Sequence, residues 1–75
     1  MSDNPTDHRD DDLFEELRGM LRAEESTVRR VAIAELPELG DRAISALVEA
    51  LKDDDFGNVQ NAAFALGEMG SEGAV

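Results

Sequence analysis

Val28-Arg-Arg-Val-Ala-Ile-Ala-Glu-Leu-Pro-Glu-Leu-Gly40 recurs, imperfectly, as Val59-Gln-Asn-Ala-Ala-Phe-Ala-Leu-Gly-Glu-Met-Gly70. Self-similarity at a fixed spacing marks a repeat array, in which a unit hides its apolar side only against its neighbours. Val28 to Val59 is an offset of 31 and Leu36 to Leu66 an offset of 30, which reads as one residue lost inside the second copy. Upstream, Leu17 matches Leu47 and Leu21 matches Leu51, each at 30.

The stripes around these blocks predict helices. Asp12-Leu-Phe-Glu15 has capping-box spacing, and Phe14, Leu17 and Leu21 share one helical side, giving a helix over 12–23. Ser26 or Thr27 is the expected cap of a second helix whose buried stripe is Val28, Val31, Ala32, Leu36 and Leu39. Pro37 cannot donate a backbone hydrogen bond and disfavours helical geometry at Leu36, so this helix ends or kinks there, with Gly40 as a left-handed stop. Asp41 is the expected cap of a third helix over 42–52, with Ile44, Leu47, Val48 and Leu51 inward. Asp53-Asp-Asp-Phe-Gly-Asn58 reads as a turn from which Phe56 tucks back onto the core. The fourth helix covers 58–69 and stops at Gly70, and Ser71–Val75 opens a fifth. No segment alternates with period two, so the expected fold is all-α, antiparallel hairpins stacked as a short solenoid.

Residues 1–11 carry Asp3, Asp7, Asp10 and Asp11, with no apolar run, and are expected to form a disordered acidic tail ahead of a repeat domain over 12–75. The whole chain of 75 residues has 18 acidic and 7 basic residues, a net charge of −11 and a single lysine, Lys52. Such a surface repels phosphate backbones, which argues against nucleic-acid binding unless Arg18, Arg22, Arg29, Arg30 and Arg42 cluster on one face. It resembles the surfaces of proteins from salt-loving archaea, and an ordinary acidic bacterial protein is the alternative. There is no cysteine, no apolar leader and no apolar run long enough for a membrane span, so a cytoplasmic protein is expected.

The pattern resembles HEAT-like repeats of the short type found in phycobilin lyases. The matching elements are Val28-Arg29-Arg30, Leu36, Leu39-Gly40-Asp41, Ala43-Ile44, Ala46-Leu47, Glu49-Ala50-Leu51 and the acidic turn Asp53–Asp55, then Leu66-Gly67-Glu68-Met69-Gly70. The resemblance spans about residues 13–75 and implies about two units, built on shallow contacts between alanine-lined helices (Ala32, Ala34, Ala46, Ala62, Ala63, Ala65). It also implies that the second helix of each unit lines a concave, partner-binding face, here Glu15, Glu16 and Arg22 with Ser45, Glu49 and Lys52. Two units fall below the three or so such arrays usually need, so the repeat domain reads as truncated at its C-terminal end, or as self-associating through helix 58–69.

Enzymes on this scaffold leave no signature here. Deoxyhypusine hydroxylases place His-Glu pairs at the start of repeat helices to hold two irons, whereas this chain has Gln60-Asn61 and, in the earlier unit, Arg29-Arg30. The phycobilin lyases need a long concave surface that two units do not provide, and HEAT-like DNA glycosylases need a basic groove. His8, the only histidine, reads as a solvated tail residue. Asp53-Asp54-Asp55 lacks the glutamate of a calcium loop, position twelve being Phe64, and reads as a solvated turn. Arg29 and Arg30 read as an inter-repeat ladder to acids such as Glu24, Glu25 or Asp55, with an anion or carboxylate clamp as the alternative. No metal, cofactor or catalytic residue is expected. The expectation is a non-enzymatic interaction or scaffold module with a protein partner. The alternative is the N-terminal part of a HEAT-like enzyme, of lyase or hydroxylase type, with its catalytic residues outside this chain.

Overall fold

The computed structural model describes the backbone of residues 5–74 and the side chains of residues 11–70. It is all-helical: α1 (Pro5–Met20), α2 (Ser26–Glu35), a 3₁₀ segment (Leu36–Ala43), α3 (Ile44–Ala50) and α4 (Phe56–Ala74). α1 packs on α2 and on the 3₁₀ segment, and α4 packs on both α2 and α3. The helices thus alternate between two layers, α1 and α3 in one, α2 and α4 in the other.

The core is a seam of small and medium side chains. Leu17, Ala32, Ile33, Leu36, Ala43, Ala46, Leu47, Ala50 and Ala62 are buried, and Leu13, Phe14, Leu21, Leu39, Leu66 and Met69 pack around them. Ala32, Ala46 and Ala62 let the helices approach closely, as expected, whereas Ala34 and Ala63 face outward and Ala43 and Ala50 take their place. In α2 the inward position belongs to Ile33, while Val31 is exposed.

The breaks in the chain follow their residues. α2 ends at Glu35, immediately before Leu36-Pro37, as the missing proline N–H requires. Gly40 takes φ 79° and ψ −150°, a positive-φ conformation open almost only to glycine, and there the chain swings from the α2 layer toward α3. It is an extended mirror-image conformation and not the left-handed helical stop. Asp41–Ala43 then form a 3₁₀ turn, so the cap position of α3 falls on Ala43, which has no side-chain acceptor, and not on Asp41. The later start turns α3 so that Ala43, Ala46, Leu47 and Ala50 face inward; Ile44, Val48 and Leu51 are exposed.

Three other expectations are corrected. α1 begins at Pro5, so residues 5–11, expected in the tail, have helical backbone; proline suits a first turn, where its missing N–H is no loss. Asp12 therefore lies inside the helix. Residues 1–4, Val75 and the side chain of His8 lie outside the described residues. α4 runs through Gly70 to Ala74 in place of stopping and opening a fifth helix, because no proline stands where Pro37 stands in α2. Phe56 is 71% exposed rather than tucked in, since it occupies the first turn of α4, away from the seam.

The repeat has one period. Arg22 and Ala23 donate their N–H groups to Gly19 and Met20, and Lys52 and Asp53 donate theirs to Glu49 and Ala50. Arg29 bonds back to Glu25 as Val59 does to Asp55, α2 and α4 start at Ser26 and Phe56, and Ala32 and Ala62 are both fully buried. Each pair is 30 apart, so no residue is lost in the second copy. Asn58, not Val59, stands where Val28 stands.

Candidate functional site

Arg29 ties the two inter-helix turns together. Its Nη1 donates to the carbonyls of Ala23 (2.7 Å) and Glu24 (2.9 Å), which end the first turn's free backbone acceptors. Its Nε and Nη2 donate to the two oxygens of Asp53 at 2.8 and 3.1 Å, and Nη2 also reaches Asp54 at 3.2 Å. The Arg29 side chain is 14% exposed and that of Asp53 5%, so this pair is sheltered, while Asp54 is 95% exposed. The arginine hydrogen bond, more than any other contact, holds the Asp53 carboxyl down to about 2, and the same bond raises the Arg29 guanidinium.

Around this pair the turn is closed by its own side chains. Asp53 accepts from the Asp55 N–H at 2.8 Å, and Asp55 accepts from the Gly57 N–H at 2.9 Å, capping α4. Ser26 donates its hydroxyl to the other oxygen of Asp55, which lowers that carboxyl below its usual value. Asn58, fully buried, sends its amide N–H groups to the Ser26 carbonyl and hydroxyl at 3.2 Å each and to Asp53 at 3.3 Å. The ladder foreseen at Arg29 is therefore present, with Asp53 and Asp54 in place of Glu24, Glu25 or Asp55 as ion-pair partners. Arg30 enters only through a through-space attraction to Asp55. Neither Ser26 nor Thr27 caps α2: the cap position is Glu25, without a side-chain bond, and Ser26 serves the neighbouring turn instead. Of the three acids in the turn, Asp54 is exposed and Asp53 and Asp55 are partly buried.

Beside this brace a groove of about 450 Å³ runs between α1 and α3. Of the six residues expected on the concave face, Arg22, Ser45, Glu49 and Lys52 line it together. Glu15 and Glu16 are exposed on α1 outside the groove, Glu15 lying 3.6 Å from Arg18. Arg18 itself lines the groove, its guanidinium 5.7 Å above the Phe14 ring. Leu21, Ala46 and Ala50 supply an apolar floor, and Arg29 and Asp53 stand at the edge. A second hollow of about 530 Å³ lies between α2 and α4, among Ile33, Pro37, Phe64, Ala65 and Met69. Of the five arginines whose clustering the sequence left open, Arg18, Arg22 and Arg29 share the first groove and Arg30 lines the second hollow. Asn58 was missed by sequence reasoning. The period of 30, applied from Val28, would have placed Asn58 on the inner side of α4.

Among the described residues no three His, Cys, Asp or Glu side chains cluster to hold a metal ion. Nor is any helix among them long and apolar enough to cross a membrane. Two layers of alternating helices at a constant period, braced turn to turn, define an α-solenoid. A family model for HEAT repeats matches residues 9–75, and the chain belongs to that family. HEAT repeats typically mediate protein–protein interaction or scaffolding. Comparison with curated proteins and with solved structures gives no match.

Proposed function

We propose that this chain is a non-enzymatic protein-interaction module whose partner sits in the groove between α1 and α3. The observation that carries the reading is convergence: Arg22 from the end of α1 and Ser45, Glu49 and Lys52 from α3 and its following turn surround one apolar-floored hollow. The Arg29 brace fixes the turns that follow α1 and α3, so the backbone carrying these side chains needs little ordering when a partner docks. Gln60 and Asn61, exposed on α4, are amides, which supports a binding role over iron chemistry of the hydroxylase kind.

The chain has no cysteine, so a single introduced thiol labels one place. Ser45→Cys carrying a photo-reactive group should give a discrete partner adduct in an extract of the source cells, whereas Asn61→Cys, in the other hollow, should not give that adduct. Equal labelling from both sites removes the groove assignment. A second copy of the chain, docking through helix 58–69, is a companion proposal supported by Phe64, which is 67% exposed beside the second hollow. Asn61→Cys would then cross-link the chain to itself. A mass that stays monomeric at every concentration, in low and multimolar salt, would exclude it.

A further inference from the structure

We propose that the groove between α1 and α3 takes a short acidic peptide segment, an inference that rests on the concave-face reading and names the chemistry of its partner. The chain has 7 basic residues against 18 acidic ones, yet four of the basic ones, Arg18, Arg22, Arg29 and Lys52, line this one hollow. Three carboxylates stand with them, Glu49, Asp53 and Asp54. Asp53 and Asp54 are engaged by Arg29. Arg18 is paired with Glu15 outside the groove, so Arg22 and Lys52 are left facing the single carboxylate of Glu49, and the lining as a whole carries one cation more than carboxylates on a chain whose net charge is −11. Among the described residues neither Arg22 nor Lys52 forms a salt bridge, and both are exposed. Their places after the last turns of α1 and α3 suit a cation near a helix C-terminus. That preference does not explain why both reach the same groove.

The shape selects among anions. About 450 Å³ admits a peptide segment and not a folded domain, and Leu21, Ala46 and Ala50 offer aliphatic contact between the charged walls. An alternating acidic and aliphatic segment can set carboxylates toward Arg22 and Lys52 and apolar side chains on the floor. A nucleic acid brings one charge per roughly 3.4 Å of strand and would have to continue over the acidic surface beyond the groove. The segment ends where the positive charge ends.

The test is fluorescence anisotropy of a labelled short peptide alternating glutamate and leucine, at low salt. Binding should weaken roughly tenfold or more when Arg22→Glu and Lys52→Glu are combined, strengthen with Glu49→Gln, and fall as salt screens the charges. Arg30→Glu, which lines the opposite hollow, should leave it unchanged. Circular dichroism checks that the variants remain helical, and the milder Arg22→Gln with Lys52→Gln should give a smaller loss in the same direction should the reversal disturb the fold. Equal binding of a glutamine–leucine peptide, stronger binding of a single-stranded oligonucleotide, or equal loss with Arg30→Glu would each overturn the proposal. A lysine–leucine peptide that binds instead, and is released by Glu49→Lys, would overturn the acidic partner and leave the groove reading intact. Failure of every peptide together with a silent Ser45 cross-link would end both.

Discussion

α2 and α4 are two copies of the same half-unit, and they end differently. At a uniform offset of 30, Ala32 and Ala62 face the same way and are both fully buried, so each copy seats itself on the preceding layer alike. Beyond that position they part. Ile33 and Leu36 are buried, while their counterparts Ala63 and Leu66 are exposed and half-buried. Pro37 and Gly40 turn the chain out of α2; Gly67 and Gly70, in the same places, lie inside a continuous α4. A repeat position has no fixed burial of its own. The following unit covers it or leaves it bare, and the breaker residue decides whether a helix stops.

The largest test of this comparison is a pair of truncations. Leu36→Ala should cost about 2–5 kcal/mol, because a fully buried side chain leaves a cavity. Leu66→Ala, at the equivalent half-buried place, should cost about 1 kcal/mol, having less area to lose. A domain of this size is held by only about 4–11 kcal/mol, so urea unfolding should separate the two easily. Equal costs would mean that the two copies are covered equally, contrary to the fold described above.

The second test should change sign between the copies. Gly40→Ala places a side chain at φ 79° and should destabilise by about 1–3 kcal/mol, although no atom lies within 4 Å of the added carbon. Gly70→Ala adds a good helix former to an exposed helical position with equally open space, and should stabilise by about 0.5–1 kcal/mol. Thermal denaturation reads both. Should Gly70→Ala destabilise, α4 does not continue through that residue as a helix.

How legible these differences were follows from their range. Pro37 acts on its own backbone and its own neighbours, so the end of α2 could be read from the chain. The stripe Leu17, Leu47 and Ala32 could be read for the same reason: a helix of any origin turns them to one side. Phe56, Ile44 and Val48 could not, because their exposure depends on where α3 begins after the 3₁₀ turn and on what packs against α3 and α4. At the site, the six residues carried over from the HEAT resemblance divide: Arg22, Ser45, Glu49 and Lys52 line the groove, and Glu15 and Glu16 lie outside it. Arg29 was assigned a ladder but the wrong acids, since its choice of Asp53 needs the two turns side by side, a relation between residues 24 apart.

The finest test concerns those turns. The first, Ala23–Glu25, offers Arg29 only backbone carbonyls, whereas the second offers the Asp53 carboxylate, so a proton-linked stability difference belongs to the second. Asp53 is held at about 2 in the folded chain against 3.8 ordinarily, first by the Arg29 hydrogen bond. A carboxyl lowered on folding binds fewer protons folded than unfolded, so its contribution is complete above about pH 5 and is lost as pH falls through 4 toward 2. Asp55, lowered through Ser26, adds in the same direction. The net charge of −11 works the other way, because protonating the acidic surface relieves self-repulsion and favours the compact state as pH falls. A single stability curve therefore mixes two opposed slopes. The difference between the curves of the native chain and Asp53→Asn isolates one: it should be constant from pH 7 to about 5 and shrink as pH falls toward 2, while in an Arg29→Gln background the same difference should become nearly flat, because folded and unfolded Asp53 then titrate almost alike. A difference that stays flat down to pH 2 would place Asp53 outside the arginine's reach and leave the two turns equivalent after all.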